Sequence, residues 1–125
     1  MCTLSEAPRV MIVDTDLARV RCATAMLSRA GLEVRGFGSP EAALAELSHR
    51  RPDAVLAPQE LAGFDMERFF EAGRAGRGRR APSFVLLPPR RGAACRPAPS
   101  WFTTVVPDPM TVHGLIDAVL CAIVR

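Results

Sequence analysis

The sequence predicts an α/β fold, a doubly wound five-stranded parallel sheet in which strands alternate with helices. Three observations predict it. Short apolar runs recur at residues 9–14, 32–37, 53–57, 83–87 and 102–106. The runs at 53–57 and 83–87 are apolar almost without interruption, as in strands buried on both faces. Helically spaced segments separate most of the runs, which implies right-handed crossovers between parallel strands. The chain has 125 residues, of which 49% are hydrophobic, and this suits one domain over 1–125 with residues 1–8 as an N-terminal tail.

The elements follow in order. Arg9-Val-Met-Ile-Val-Asp14 is an apolar run ending in an acid, a buried strand. Residues 16–30 show helical spacing, with Leu17, Val20, Thr24, Leu27 and Ala30 on one stripe, Asp16 as N-cap and Gly31 as the C′ stop. The second strand is 32–37. Ser39 as N-cap and Pro40 at N1 open a helix that runs to about Arg50. After the third strand, 58–64 is a loop. Asp65 starts a short helix through Ala72, with Met66, Phe69 and Phe70 as its apolar residues. Residues 73–81 form a basic, glycine-rich connector. The fourth strand stops at Pro88-Pro89.

Residues 88–100 break the pattern. Four prolines and two arginine clusters stand where the alternation calls for a helix. Proline costs about 3 kcal/mol in a helix interior, so this helix is lost or reduced to one turn. Residues 102–106 are the fifth strand. Residues 109–124 form the last helix, with Pro109 at N1.

Composition removes several function classes. The net charge is +3, and all 16 basic residues are arginine. No mechanism that needs a lysine ammonium can operate. The four cysteines, Cys2, Cys22, Cys95 and Cys121, fit no zinc spacing and read as free thiols of a reducing compartment. No apolar run approaches a membrane span, and the N-terminus lacks the apolar core of a signal peptide, so a cytoplasmic protein is expected. His49 and His113 lack the partners of a hydrolase triad. Asp14-Thr15-Asp16 occupies the turn where a dinucleotide-binding fold carries a glycine-rich loop.

Val13-Asp14-Thr15-Asp16, Arg51-Pro52-Asp53-Ala54-Val55-Leu56 and Gly63-Phe64-Asp65-Met66 stand in the order and spacing of three motifs of one family. The chain resembles the receiver domain of two-component response regulators over nearly its whole length, from Arg9 to Val124. The resemblance implies a flavodoxin-like (βα)5 fold. In that family acids hold a divalent cation, an aspartate takes the phosphoryl group, and a hydroxyl and a lysine contact it. Here Asp14 keeps one acid position and Thr15 occupies the other, with Asp16 adjacent. Pro58 stands at the phosphoacceptor position, Leu87 at the hydroxyl and Asp108 at the lysine. Val105 falls at the switch aromatic, with Phe102 nearby, and Ala62 replaces a loop proline. No shift of register rescues the nucleophile, because no acid lies between Asp53 and Glu60. The resemblance therefore implies a degenerate member, a pseudo-receiver.

Asp14, Asp16, Glu60 and Asp108 are expected to converge at the carboxyl edge of the sheet. They form either a residual cation site or an acidic pocket neutralised by Arg90 or Arg91; the second reading is preferred, and no metal or other cofactor is expected. The arginines at 74, 77, 79 and 80, with those at 90, 91 and 96, read as solvated loops or as an anion site. In the last helix Val112, Leu115, Ile116, Val119, Ala122 and Ile123 make a core face. Met110, Leu120, Cys121 and Val124 are left at or near the surface. That is either a wide core contact or a partner face.

The function these residues point to is phosphorylation-independent interaction in bacterial phosphorelay signalling, without enzymatic activity. The partner is another signalling protein or a second copy, held through Val105, Met110, Leu120 and Val124. The alternatives are a sensor of anionic small molecules through the arginine-rich loop and a DNA-associated regulator. Nucleic acid is disfavoured because no helix-turn-helix or aromatic platform accompanies the arginines.

Overall fold

A computed structural model describes residues 7–59, 61, 65–74, 81–88, 102–107 and 110–124. The elements are β1 (Arg9–Val13), α1 (Leu17–Arg29), β2 (Glu33–Phe37), α2 (Pro40–Leu47), β3 (Ala54–Ala57), α3 (Met66–Arg74), β4 (Ser83–Leu86), β5 (Thr104–Val105) and α4 (Val112–Val124). All strand pairings are parallel, in the order β2-β1-β3-β4-β5. This is the α/β doubly wound sheet that the alternation of elements predicts. Residues 89–101, where the lost helix was placed, lie outside the described residues, as does Pro109.

Position in the sheet explains strand composition. In β3 every residue is buried, and in β1 and β4 all but the first are. Their side chains feed two separate apolar layers. Val10, Ile12, Leu56 and Val85 meet Val20, Ala23 and Leu27 of α1 and Leu115, Val119 and Ala122 of α4. Met11, Val13, Val55 and Phe84 meet Ala43 and Leu47 of α2 and Met66 and Phe69 of α3. Phe84 sits edge-on to Phe69, with ring centroids 6.2 Å apart, and 5.1 Å from Phe70. The edge strand β2 is mostly exposed and carries charges, which blunts its free edge.

The helices begin and end where their caps allow. Asp16 accepts the Arg19 N–H at 3.2 Å. At the far end of α1, Gly31 has φ +93°, and the Leu32 and Gly31 N–H groups donate to Leu27 O and Ser28 O. This is a Schellman motif, and Leu32 and Leu27 are buried in the same layer. Ser39 accepts the Ala42 N–H above Pro40 at N1, and Asp65 accepts from Glu67 and Arg68. Two hydroxyls fasten α4 to the sheet: Ser83 donates to Ala122 O and Thr104 to Ala118 O.

Several expectations are corrected. The last helix starts at Val112, because Thr111 accepts the Gly114 N–H and so supplies the cap. Val112 was placed in the core and is exposed, one turn too early to reach the sheet. On α1 the buried stripe is Val20, Ala23 and Leu27; Leu17 and Ala30 are exposed. Leu17 instead overhangs Gly38 in the loop after β2. The second helix stops at Leu47 rather than near Arg50, and the third continues to Arg74.

The packing of α1 on β2 depends on a missing side chain. A Cβ at Gly36 would lie 2.6 Å from Val20 Cγ1 and 3.2 Å from Thr24 Oγ1. Val20 is β-branched and has one favoured rotamer in a helix, so it cannot swing aside. Gly36→Ala is expected to destabilise the fold by about 1–3 kcal/mol through overpacking. A urea midpoint equal to wild type would show that α1 withdraws from β2 freely.

Candidate functional site at the carboxyl edge of the sheet

In an open parallel sheet the binding crevice lies beyond the carboxyl ends of the strands, where the strand order reverses. Here the reversal falls between β1 and β3. Asp14 follows β1, Pro58 follows β3, and Leu87 and Pro88 follow β4.

Asp14 is 1% exposed and is the one charged side chain in the buried set of described residues. Its burial is a consequence of strand position, since β1 is covered on both faces. Its Oδ1 accepts the Asp16 N–H at 3.1 Å. Its Oδ2 accepts the Arg19 Nε–H at 2.7 Å. Arg19 Nη2 also lies 2.7 Å from Oδ2, as an ion-pair contact and not an aligned hydrogen bond. The third arm, Nη1, donates to Pro88 O at 2.7 Å. The side chain of Arg19 is 14% exposed, so the pair is largely dry.

The counter-ion therefore comes from the first turn of α1. Arg90 and Arg91, expected in that role, lie outside the described residues, as do Glu60 and Asp108. A signal for Arg19 was present: it stands three residues after the N-cap Asp16, on the turn that faces the crevice. Asp16 is the cap of α1, its Oδ1 accepting the Arg19 N–H. Thr15 is exposed. Pro58 is buried and offers no nucleophile. Leu87 is 1% exposed and carries no hydroxyl; its N–H donates to Ala57 O at 2.9 Å. Asp53 lies at the opposite edge, where it accepts the Arg9 N–H at 2.8 Å and caps the amino end of the sheet.

A magnesium ion needs several oxygen ligands in near-octahedral array. Among the described residues no three His, Cys, Asp or Glu side chains are grouped to hold a metal. Asp14, the buried carboxylate among the described residues, is already turned to a guanidinium. The described donors do not by themselves fit a divalent cation of the kind the resemblance implies.

A second feature lies on the side of the sheet where β5 forms the edge. Val105 is 51% exposed, Leu120 41% and Val112 45%. Val112, Ile116 and Leu120 stand four residues apart, on one stripe of α4. Met110 is half-buried against the layer formed with α1 and α4. Val124 closes α4, but its side chain lies outside the description. Sequence reasoning missed Val112 because α4 is apolar nearly all round, and periodicity alone does not say which stripe meets the sheet. Cys22 and Cys121 are exposed free thiols; Cys2 and Cys95 lie outside the described residues. Arg74 stacks 5.4 Å above the Phe70 ring, and the other arginines of its connector, at 77, 79 and 80, lie outside. Among the described residues no helix is long and apolar enough to cross a membrane.

Strand order, layers and edge together define the fold of a response-regulator receiver domain. The chain is similar to the receiver domain (CheY-like) of Methylobacillus flagellatus, with a TM-score of 0.77 and 19% identity over 94% of this chain and 99% of that one. It is similar to the receiver domain protein of Methanospirillum hungatei JF-1, with a TM-score of 0.77, 16% identity and 94% of each chain covered. It is also similar to the chemotaxis response regulator CheY4 of Vibrio cholerae, with a TM-score of 0.74 and 17% identity over 94% and 99%. No protein-family model and no curated protein matches the sequence. At these identities the likeness carries the fold, and the chemistry has to be read from the residues.

Removing one member of a buried ion pair strands the other. Arg19→Met is expected to cost about 3–5 kcal/mol, and Asp14→Asn in the same chain to recover a large part of it. Equal losses in the single and double variants, read from urea denaturation, would show that the Asp14 charge is not what Arg19 offsets.

Proposed function

We propose that the chain is a phosphorylation-independent pseudo-receiver, a protein-interaction module of two-component signalling in the bacterial cytoplasm. The observation that carries this reading is the Arg19–Asp14 pair at the carboxyl edge. The surviving acid is turned to an internal guanidinium, while Pro58 and Leu87 occupy the nucleophile and hydroxyl positions. Each substitution alone removes one step of phosphoryl transfer. Together they leave no carboxylate to attack phosphorus at residue 58 and no hydroxyl at residue 87 to contact a phosphoryl oxygen. Asp108 at the lysine position would add repulsion toward an incoming phosphate. The chain contains no lysine to replace that cation.

What the scaffold retains is its shape and an apolar side. Val105 and Leu120 are exposed, as is Val112 on the same stripe of α4, and Met110 is partly buried against the layer formed with α1 and α4. Exposed apolar groups of this size on neighbouring elements favour burial against a protein, either another signalling protein or a second copy. The role is one of binding and not of turnover.

Two measurements test the reading. Incubation with acetyl phosphate and magnesium is expected to leave the intact mass unchanged; a stable phosphoryl adduct on any aspartate would overturn the proposal. Leu120→Asp is expected to weaken self-association or partner capture at least tenfold, with unchanged circular dichroism. Binding and oligomeric state that ignore this substitution would remove α4 from the interface.

A further inference from the structure

Arg19 joins two parts of the sheet that the strand ladder does not join directly. Its Nε and Nη2 hold Asp14 at the end of β1, and its Nη1 holds the Pro88 carbonyl just beyond β4. In the sheet order β3 stands between those strands. The residue that follows β3 is Pro58, whose side chain has no donor or acceptor with which to make the link itself. The guanidinium is thus a strut across the end of β3.

The far end of that strut supports a weak element. β5 has two strand residues and lies at the sheet edge, paired to β4 alone. Its last bond runs from the Val106 N–H to Leu86 O at 2.8 Å, and Val105 is in register with Leu86. Leu86 and Leu87 are the two residues before Pro88. Whatever holds Pro88 also holds the backbone to which β5 is attached.

We propose that Arg19 is a permanent internal tether: by clamping Asp14 to the Pro88 carbonyl, it fixes the end of β4 and so the register and exposure of β5, including Val105. Charge neutralisation at the sheet edge and the posture of β5 are then set by one covalently built-in cation. No bound ligand is required to set them. The idea stands apart from the proposed interaction role, because its consequence is a local stability within the isolated chain.

Native-state amide hydrogen exchange tests it. Arg19→Lys keeps a positive charge beside Asp14 but lacks the planar fork that reaches both partners. Asp14→Asn with Arg19→Gln removes both charges at once and leaves no stranded ion if the lysine variant does not fold. In each variant the Val106 and Leu87 amides are expected to exchange at least tenfold faster than in wild type. The Met11 and Val55 amides, in the β1–β3 ladder, should stay within twofold. Unchanged exchange at Val106, or equal acceleration of all four amides, would overturn the tether.

Discussion

Asp14 is where the main constraints of the molecule meet. β1 is covered on both faces, so the residue at its carboxyl end is dry. A dry carboxylate without a cation would be strongly destabilising. The chain has no lysine, and the described partner is the guanidinium of Arg19. Arginine suits the position for a further reason. Its planar fork satisfies a carboxylate oxygen and still reaches the Pro88 carbonyl, which a single ammonium on a flexible stem does less well. A buried ion pair is weak evidence for net stability, since desolvation offsets much of the attraction. Its value here lies in direction: it specifies where the first turn of α1, the end of β1 and the end of β4 must sit relative to one another.

The same two-sided burial organises the rest. Successive residues of β1, β3 and β4 point into opposite apolar layers, so each layer needs its own helices. α1 and α4 cover one face, and α2 and α3 the other. Where a helix comes unusually close, a small residue permits it, as Gly36 does beneath Val20 and Thr24. Polar atoms of the strands are turned into fasteners, with Ser83 and Thr104 donating to α4 carbonyls spaced four residues apart. Surface charge contributes far less. Glu33 pairs with Arg50 at 3.0 Å and with Arg9 at 3.9 Å, but these side chains are more than a third exposed, and such pairs are worth little in water.

A receiver scaffold concentrates chemistry at one edge and contacts on another side. At the carboxyl edge Asp14, the buried acid among the described residues, is held by Arg19, and its neighbour Asp16 caps α1. On the side of β5 and α4, Val105, Val112 and Leu120 are exposed beside the polar His113 and Asp117, and Ser83 and Thr104 attach α4 to the sheet. The tether links these two regions by a short path, from Asp14 through Arg19 to Pro88 and on to Leu86 and Val106. Such a path lets the carboxyl edge influence the shape of a contact surface, because the hydrogen bonds that hold a strand end in place need no reaction to maintain them.

The sequence by itself determined the fold class and the residue identities along the carboxyl edge. Apolar runs, caps at Asp16 and Ser39, the glycine stop at Gly31 and proline at Pro40 are local signals. They mark most strands and helices because their physics acts within a few residues. The absence of an acid at 58, a hydroxyl at 87 and any lysine is visible from identity alone. Tertiary structure decided the rest. Only the folded sheet brings Arg19 onto Asp14 and onto a carbonyl 69 residues away, because the partners belong to elements whose proximity depends on strand order. It likewise decided that Leu17 and Val112 are exposed. In helices this rich in apolar residues, periodicity offers more than one stripe, and the choice falls to the geometry of the sheet beneath.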